Sequence, residues 1–271
     1  MTRHIAPLIQ TKRFDRYFEP FCGSAAVFLS LGFKGPAFLN DKQSQIIKIY
    51  RAIKDDPAML FAEFRMLSEA MYEKGGSVYY DVRENARSAA DWLFLFYSSF
   101  NGLIRFSNKD PNKFNASWGK RYSKLGDALS MKKPVHELVT MERLNEMSAL
   151  FANASLACGD YWDCIKDCGK GDMIYLDPPY TFNGKDEASE VYNMGWGEAE
   201  DRLLAERLAE LESRGALWIL SNVSESRGKR NKLYMDELYA DHKKKEIPYK
   251  YTIGGGQPAT EVKELLVLSK Y

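Results

Sequence analysis

The sequence has little of what disulfide-bonded, metal-binding or membrane proteins need. Its 271 residues include only four cysteines and three histidines, and no two cysteines form a C-x-x-C pair. We therefore expect free thiols and no metal site. No apolar run has membrane-spanning length, and the N-terminus has no apolar secretion segment. These absences predict a cytoplasmic location and no membrane partner.

Net charge is also almost absent, at +1, but charge is unevenly distributed along the chain. Residues 101–133 contain eight basic and two acidic residues, whereas residues 181–214 contain four basic and nine acidic ones. The basic segment is interleaved with aromatic residues, namely Phe106, Phe114, Trp118 and Tyr122. Such interleaving suits phosphate contacts and stacking on bases. The alternative is a solvated basic loop.

The most informative feature present is the tetrapeptide Asp-Pro-Pro-Tyr at residues 177–180, directly after an apolar run. A strand over 173–177 would deliver it to the carboxyl edge of a sheet, where α/β folds bind ligands. Proline fixes φ and removes a backbone donor, so the carbonyls there are rigid acceptors. Asp177 and the Pro178 carbonyl are predicted to accept the two hydrogens of an amino group, and Tyr180 to stack on its ring. The alternative is a plain proline turn.

A second segment, residues 17–29, has the pattern of a short strand, a tight glycine turn and the start of a helix. Glycine allows close approach of the backbone to a ligand, and a helix N-terminus suits a carboxylate. The next predicted strand ends at Asp41, a position where an acid often receives ribose hydroxyls. Asp41 is also a candidate N-cap for a helix beginning near Gln43.

Alternating strand and helix patterns predict an α/β fold with a mainly parallel sheet. About a hundred residues between the second and third strands have helical patterning, too many for a loop. They predict a mainly helical domain at 54–153, inserted into a domain formed by 1–53 and 154–271. Helices are expected at 57–72, 81–100 and 140–153. Strands are expected at 16–19, 37–40, 155–158, 173–177, 216–221, 246–250 and 262–268.

The order of these motifs resembles that of the Dam group of DNA adenine-N6 methyltransferases, over nearly the whole chain. Glu-Pro-Phe-x-Gly at 19–23 is followed by Asn-Asp at 40–41, Asn-Gly-Leu-x-Arg at 101–105, Asp-Pro-Pro-Tyr at 177–180 and Glu-x-Leu at 264–266. Further matches are Phe114-Asn115, Gly119, Gly159-Asp160-Tyr161 and Ser221-Asn222.

The sequence also departs from the group's pattern. Ala25 stands where relatives often have glycine, and Ser117 and Lys120 differ from residues common in the DNA-contacting loop. The group's first motif, a loop with a lysine that closes over the cofactor, would lie before residue 1. Weak binding of S-adenosylmethionine by the isolated chain is therefore expected.

The resemblance implies a Rossmann-like, S-adenosylmethionine-dependent methyltransferase sheet with an inserted helical target-recognition domain. It implies that the enzyme methylates N6 of a flipped adenine in double-stranded DNA, with GATC as the first candidate site. We expect a monomer, and the purpose of the methyl mark is open between restriction-modification and signalling. The catalytic residues would be Asp177, Pro178 and Tyr180. The cofactor would be held by Glu19, Phe21, Gly23, Asp41, Asp160, Tyr161 and Asp177. DNA would be contacted by Phe100, Asn101, Leu103, Arg105, Lys120 and Arg121.

Two alternatives remain open at this point. An amino-methyltransferase acting on RNA or on cytosine N4 uses a similar proline-rich tetrapeptide. A DNA-binding relative with weak or lost turnover would keep the same fold.

Overall fold

The computed structural model describes residues 2–107, 110, 113–120, 133–182, 185–186, 196–226, 229–230, 232–251 and 260–270. The chain divides into two compact units, one formed by Met1–Lys42 with Asn153–Tyr271 and the other by Gln43–Ala152. The predicted division lay at 53/54 and 153/154. The first division differs because helix α3 (Ser44–Asp55) packs on helices of the second unit.

The first unit is built on a sheet whose seven long strands are those predicted. Some of the strands are longer than predicted, and the ends of others differ by one residue. The strand bounds are β1 Arg16–Glu19, β2 Ala37–Asp41, β3 Ala154–Cys158, β4 Asp172–Leu176, β5 Thr181–Phe182, β6 Lys185–Asp186, β7 Leu217–Ser226, β8 Lys229–Arg230, β9 Lys243–Tyr251 and β10 Thr260–Leu268. The order in the sheet is β3-β2-β1-β4-β7-β10-β9, the short strand β8 pairs with β7, and β5 and β6 form a separate pair. The pairs among β1, β2, β3, β4 and β7 are parallel, and β10 runs antiparallel to β7 and β9.

Apolar strand residues form the core of this unit. β4 is buried along its whole length, as expected for a central parallel strand covered on both faces. Its Ile174 and Leu176 cluster with Trp218 of β7 and Val267 of β10. The helices of this unit are α1 Thr2–Gln10, α2 Ala26–Leu31, α8 Tyr161–Ile165, α9 Glu198–Ser213 and α10 Lys232–Leu238.

The direction of strand addition reverses between β1 and β4, which are neighbours with Phe18 opposite Ile174. From β1 the chain adds β2 and β3 on one side, and from β4 it adds β7 on the other. Such a reversal opens a crevice at the carboxyl ends of the two central strands. The turn after β1 and the tetrapeptide after β4 therefore lie at the same edge.

The second unit is mainly helical. Its α4 (Pro57–Lys74) and α7 (Met141–Phe151) confirm two of the predicted helices. The single helix predicted over 81–100 is wrong, because two helices occupy that region, α5 (Gly76–Asn85) and α6 (Ala89–Ser98). Ser88 ends the continuity, since its side chain accepts from Asp91 N while Asp91 accepts from Ser88 N. This capping box favours a new helix start.

The segment after α6 folds back on itself as an irregular hairpin. Isolated antiparallel bridges join Ser99 to Trp118 and Phe106 to Phe114. Both phenylalanines are buried and pack against Trp92 of α6. The prediction that they stack on bases is therefore wrong, since they hold the hairpin on its own unit. Tyr122 and the basic residues Lys109, Arg121, Lys124 and Lys132 lie outside the described residues.

All four cysteines are free thiols, as predicted. Within the described part of the chain, no group of three or more histidine, cysteine or acidic side chains is arranged to hold a metal ion. No helix among the described residues is both long and apolar enough to cross a membrane.

Candidate active site

Asp177 follows the last residue of β4 and is the centre of a hydrogen-bonded network. Its Oδ1 accepts from Ser221 Oγ at 2.6 Å and from Tyr180 Oη at 2.8 Å. Ser221 Oγ in turn accepts from Tyr175 Oη at 3.2 Å. Because Ser221 and Tyr175 lie on the adjacent strands β7 and β4, the rigid sheet fixes the position of the carboxylate.

The Asp177 network also sets the charge of the carboxylate. Asp177 remains accessible to solvent, but surrounding protein removes much of its hydration, and this desolvation raises its pKa. The hydrogen bonds from Ser221 and Tyr180 oppose that effect, because they stabilise the ionised form. These two hydrogen bonds therefore favour the ionised carboxylate, which is the form that accepts from a donor.

Tyr180 is half-buried, and its hydroxyl lies between two carboxylates. It donates to Asp177, and Glu264 Oε2 of β10 lies 3.5 Å from the same oxygen. Glu264 is fully buried. Burial, followed by the charges of Asp177 and Glu264, raises the pKa of Tyr180 well above its usual range. The hydroxyl therefore keeps its hydrogen at any physiological pH.

The turn after β1 has the tight geometry predicted from its glycine. Gly23 has φ +44°, and its N–H donates to Asp41 Oδ2 at 2.8 Å. Ala25, the N-cap of α2, has φ 51° in the left-handed region. Glycine adopts that region without strain, which gives a physical reason for the glycine that relatives often carry there. The N-cap of α3 is Gln43, so Asp41 is not the cap that was considered as an alternative.

Glu19 is buried beneath this turn. Its Oε2 accepts from Tyr17 Oη at 2.8 Å and from Phe28 N, in the first turn of α2, at 3.2 Å. Burial raises the pKa of Glu19 to about 8, against the opposing effect of these two hydrogen bonds. Glu19 thus anchors the start of α2, and a direct contact with cofactor stays a prediction.

Asn40 joins the ends of three strands. Its buried Nδ2 donates to Pro20 O after β1 and to Gly159 O after β3, both at 3.1 Å. Because Gly159 directly precedes Asp160, Asn40 fixes the separation of two predicted cofactor-binding loops.

The predicted cofactor residues Phe21 and Tyr161 meet in an aromatic cluster at this edge. Their rings stack with centroids 5.1 Å apart, and Trp196 lies edge-on to Phe21 at 5.4 Å. Tyr161 Oη accepts from Arg207 Nη1 at 2.7 Å. Asp160 caps α8 by accepting from Trp162 N at 2.8 Å. The contacts of these residues with the cofactor stay predictions.

The predicted DNA-contacting residues that the structure describes lie on the hairpin of the second unit. Phe100 is 56% exposed and Leu103 37% exposed. Asn101 has a left-handed backbone, with φ 55°. Arg105 Nε donates to Asn115 Oδ1 at 2.8 Å. Lys120 is exposed, and Arg121 lies outside the described residues.

Gly119 lies where the two chain segments of that hairpin come together at its base. A Cβ added there would lie 2.6 Å from Ser99 O, so the close approach of the two chains requires glycine. This contact gives Gly119, one of the matched motif positions, a local structural reason.

Sequence reasoning assigned no role to Ser221, Glu264, Asn40 or Tyr175. Ser221, Glu264 and Asn40 lie within motifs that match the family's pattern, so their positions were noted but no function was assigned to them. The position of Tyr175 could have been used, because it lies two residues before Asp177. Side chains two residues apart on a strand point to the same face of the sheet. Trp196 carried no comparable signal.

The edge residues fit the methyl-donor cofactor. A Cβ built on Gly23 meets no atom within 4 Å, so the turn faces open space. The buried carboxylate of Asp41 lies at the end of the neighbouring strand, where a ribose is received in folds of this kind.

A family model described as D12 class N6 adenine-specific DNA methyltransferase matches residues 1–253. The chain belongs to this family. A type II methyltransferase, M1.LlaDCHI of Lactococcus lactis subsp. cremoris, is 30% identical over 256 residues, which cover 88% of this chain and 81% of that protein. A DNA adenine methylase of Salmonella typhi is 28% identical over 173 residues, 60% of this chain and 55% of that protein.

Among solved structures, an S-adenosylmethionine-dependent O-methyltransferase of Thermotoga maritima aligns with 99% of this chain and 64% of that chain, at 9% identity and a TM-score of 0.40. The predictions of the family, the α/β fold class, the S-adenosylmethionine cofactor and the adenine-specific DNA methyltransferase activity are confirmed. The roles of individual residues stay predictions.

Proposed function

We propose that this D12-class enzyme methylates N6 of an adenine flipped out of duplex DNA, with Asp177, Pro178 and Tyr180 as its catalytic residues. The observation that supports these roles best is the Asp177 carboxylate, held by Ser221 and Tyr180 at the edge where β1 and β4 diverge. The adenine amine is a weak nucleophile, because its nitrogen lone pair is delocalised into the ring.

Asp177 and the Pro178 carbonyl each accept one hydrogen of that amine, which favours a pyramidal nitrogen and stabilises its developing positive charge. Catalysis then comes from positioning and electrostatics. S-adenosylmethionine supplies the methyl group as a sulfonium. The ring of Tyr180 stacks on the base, and the proton released after methylation passes to water. Extruding the base from the duplex costs a few kcal/mol.

The cofactor is assigned to the first unit. Phe21 and Gly23 lie at its methionine end, Asp41 receives the ribose, and Asp160 with Tyr161 holds the adenine. Glu19 supports this site by anchoring α2.

DNA recognition is assigned to the hairpin of the second unit, the proposed target-recognition domain. Arg105 is proposed to read guanine by a bidentate contact, with GATC as the first candidate site. Exposed Phe100 fills part of the gap left by the extruded base, Asn101 and Leu103 contact bases, and Lys120 and Arg121 contact phosphates or additional bases. Monomeric action and a cytoplasmic location stay predictions.

The test uses labelled S-adenosylmethionine with duplex DNA, single-stranded DNA and RNA in separate reactions, followed by mass spectrometry of the nucleosides. We expect N6-methyladenine from duplex DNA. Cytosine-N4 or RNA products would establish the alternative activity, and no product would indicate a relative without turnover.

The role of Asp177 is tested with Asp177→Ala, which should abolish transfer while DNA affinity stays within a few fold. The charged hydrogen bond to the reacting nitrogen acts mainly in the transition state. Asp241→Ala, which removes an exposed carboxylate, is the matched control. Turnover above about a tenth of wild type in Asp177→Ala would disprove the role.

A further inference from the structure

One hydroxyl hydrogen is shared between two carboxylates in the network around Asp177. Tyr180 Oη donates to Asp177 Oδ1 at 2.8 Å, while Glu264 Oε2 lies at 3.5 Å, the limit of hydrogen bonding. A phenol has a single hydrogen to donate. Tyr180 can therefore make one strong hydrogen bond, and in this structure it makes it to Asp177.

That hydrogen bond occupies one of the two oxygens of Asp177. An adenine amine that approaches Oδ1 meets an oxygen that already accepts from both Tyr180 and Ser221, so at Oδ1 it competes with these two donors. Ser221 is fixed by its place on β7 and by Tyr175, whereas Tyr180 follows the strand end. The hydroxyl of Tyr180 is consequently the donor most easily displaced.

A displaced Tyr180 hydroxyl needs another acceptor, because a half-buried donor without one is costly. Ser221 Oγ also lies 3.5 Å from the Tyr180 oxygen, but it already accepts from Tyr175. Glu264 is the carboxylate in place for this. It belongs to β10, which pairs with β7 on one side and β9 on the other, opposite Val223 and Ile247. It is fully buried between these two strands, and its carboxylate already lies beside the Tyr180 hydroxyl before substrate binds.

We propose that Glu264 is a positioning residue for methyl transfer, accepting the Tyr180 hydroxyl when the target amine displaces it from Asp177. The exchange frees Asp177 for the amine and holds the Tyr180 ring in its stacking position. This inference rests on the proposed roles of Asp177 and Tyr180. It adds Glu264 as the residue that allows Asp177 to accept from the amine while the Tyr180 ring stacks on the base.

A binding experiment isolates this exchange from turnover. Labelled duplexes carry either adenine or unsubstituted purine, which lacks the amine, at the target position, and S-adenosylhomocysteine replaces the methyl donor. Glu264→Gln keeps the shape but loses the charge of the acceptor. It should weaken binding of the adenine duplex by about five-fold, the difference between a charged and a neutral hydrogen bond, and leave the purine duplex within about two-fold.

A double-mutant cycle supplies the second measurement. Tyr180→Phe keeps the ring but removes the hydroxyl, so in that background Glu264→Gln should change adenine-duplex binding and kcat/KM by less than about two-fold. Glu246→Gln, which removes an exposed carboxylate from neighbouring β9, is the matched control and should bind both duplexes like wild type.

Equal weakening on both duplexes, or the same loss with and without the Tyr180 hydroxyl, would show that Glu264 has only a structural role. Thermal unfolding of each variant identifies a folding defect. If Glu264→Gln has such a defect, Glu264→Asp replaces it in the double-mutant cycle, because its shorter side chain moves the charge away from Tyr180. Wild-type methylation of adenine combined with an additive cycle would reject this inference alone. Absence of adenine methylation by wild type would reject the proposed function itself.

Discussion

Ser221 donates its hydroxyl hydrogen to Asp177 across neighbouring strands, with 2.6 Å between Oγ and Oδ1. Tyr175 donates to the same serine oxygen, so the serine hydrogen is directed at the carboxylate. Since desolvation raises the pKa of Asp177 and this bond lowers it, Ser221 helps to keep Asp177 ionised. An ionised Asp177 is the form that can accept from the adenine amine.

Ser221→Ala should therefore move the acidic limb of the pH–rate profile to higher pH. Without the serine the pKa of Asp177 rises further, so the inactive protonated form persists to higher pH. Measured as kcat against pH, we expect a loss of roughly ten-fold on the acidic side, from one charged hydrogen bond, and a smaller loss on the alkaline side. Ser224→Ala is the control, because Ser224 is buried on the same strand but donates to Lys263 O. An unshifted limb in Ser221→Ala would refute the role.

Glu19→Gln should remove a pH dependence of stability. The folded-state pKa of Glu19 is about 8, above the ordinary value of 4.5. Between these values the folded chain binds a proton that the unfolded chain releases, so stability falls as pH rises and the contribution is lost above about pH 8. Urea unfolding between pH 5 and 9 should show wild type losing on the order of 4 kcal/mol more than the variant. Glu246→Gln should behave like wild type, and equal losses in Glu19→Gln would contradict the prediction.

The strands and the tight turn at Gly23 were predictable because they depend on local patterns. The apolar run before Asp177 favours a buried strand, and Gly23 permits the positive φ of the turn. The false single helix over 81–100 arose because apolar periodicity continues through residues 86–88, and only the Ser88-to-Asp91 capping pair marks the break.

Burial and long-range hydrogen bonds were not predictable in the same way. Phe106 and Phe114 have the composition of base-stacking residues, but their pairing across the hairpin directs both rings into a core around Trp92. Glu264 and Tyr180 are 84 positions apart in the sequence. They come close together because β10 lies antiparallel beside β7.

Asn40→Ala should weaken cofactor binding selectively. The substitution removes one buried and one partly buried hydrogen bond that tie Pro20 and Gly159 together, so the loops before Gly23 and Asp160 lose their fixed spacing. Two such bonds are worth about 2 kcal/mol, or roughly thirty-fold in affinity if fully expressed at the site. Calorimetry with S-adenosylhomocysteine measures the effect, and DNA affinity should stay within a few fold. Asn153→Ala, which removes one exposed bond to Lys34 O, is the control. Unchanged cofactor affinity in Asn40→Ala would show that the loops keep their spacing without it.

Arg105→Ala should relax sequence specificity at one base pair. The guanidinium is oriented by Asn115, which accepts from Nε through its side chain and from Nη2, at 3.2 Å, through its backbone carbonyl. Such orientation lowers the entropic cost of a bidentate contact with guanine O6 and N7, worth about 1 to 3 kcal/mol of discrimination. Methylated positions are mapped by sequencing on random duplexes for wild type, Arg105→Ala and Arg65→Ala, the last removing an exposed arginine paired with Glu69 on α4. We expect one guanine to lose preference by roughly ten-fold or more in Arg105→Ala alone. An unchanged preference would reject Arg105 as a reader, and loss of binding on all sequences alike would assign it to phosphate contact instead.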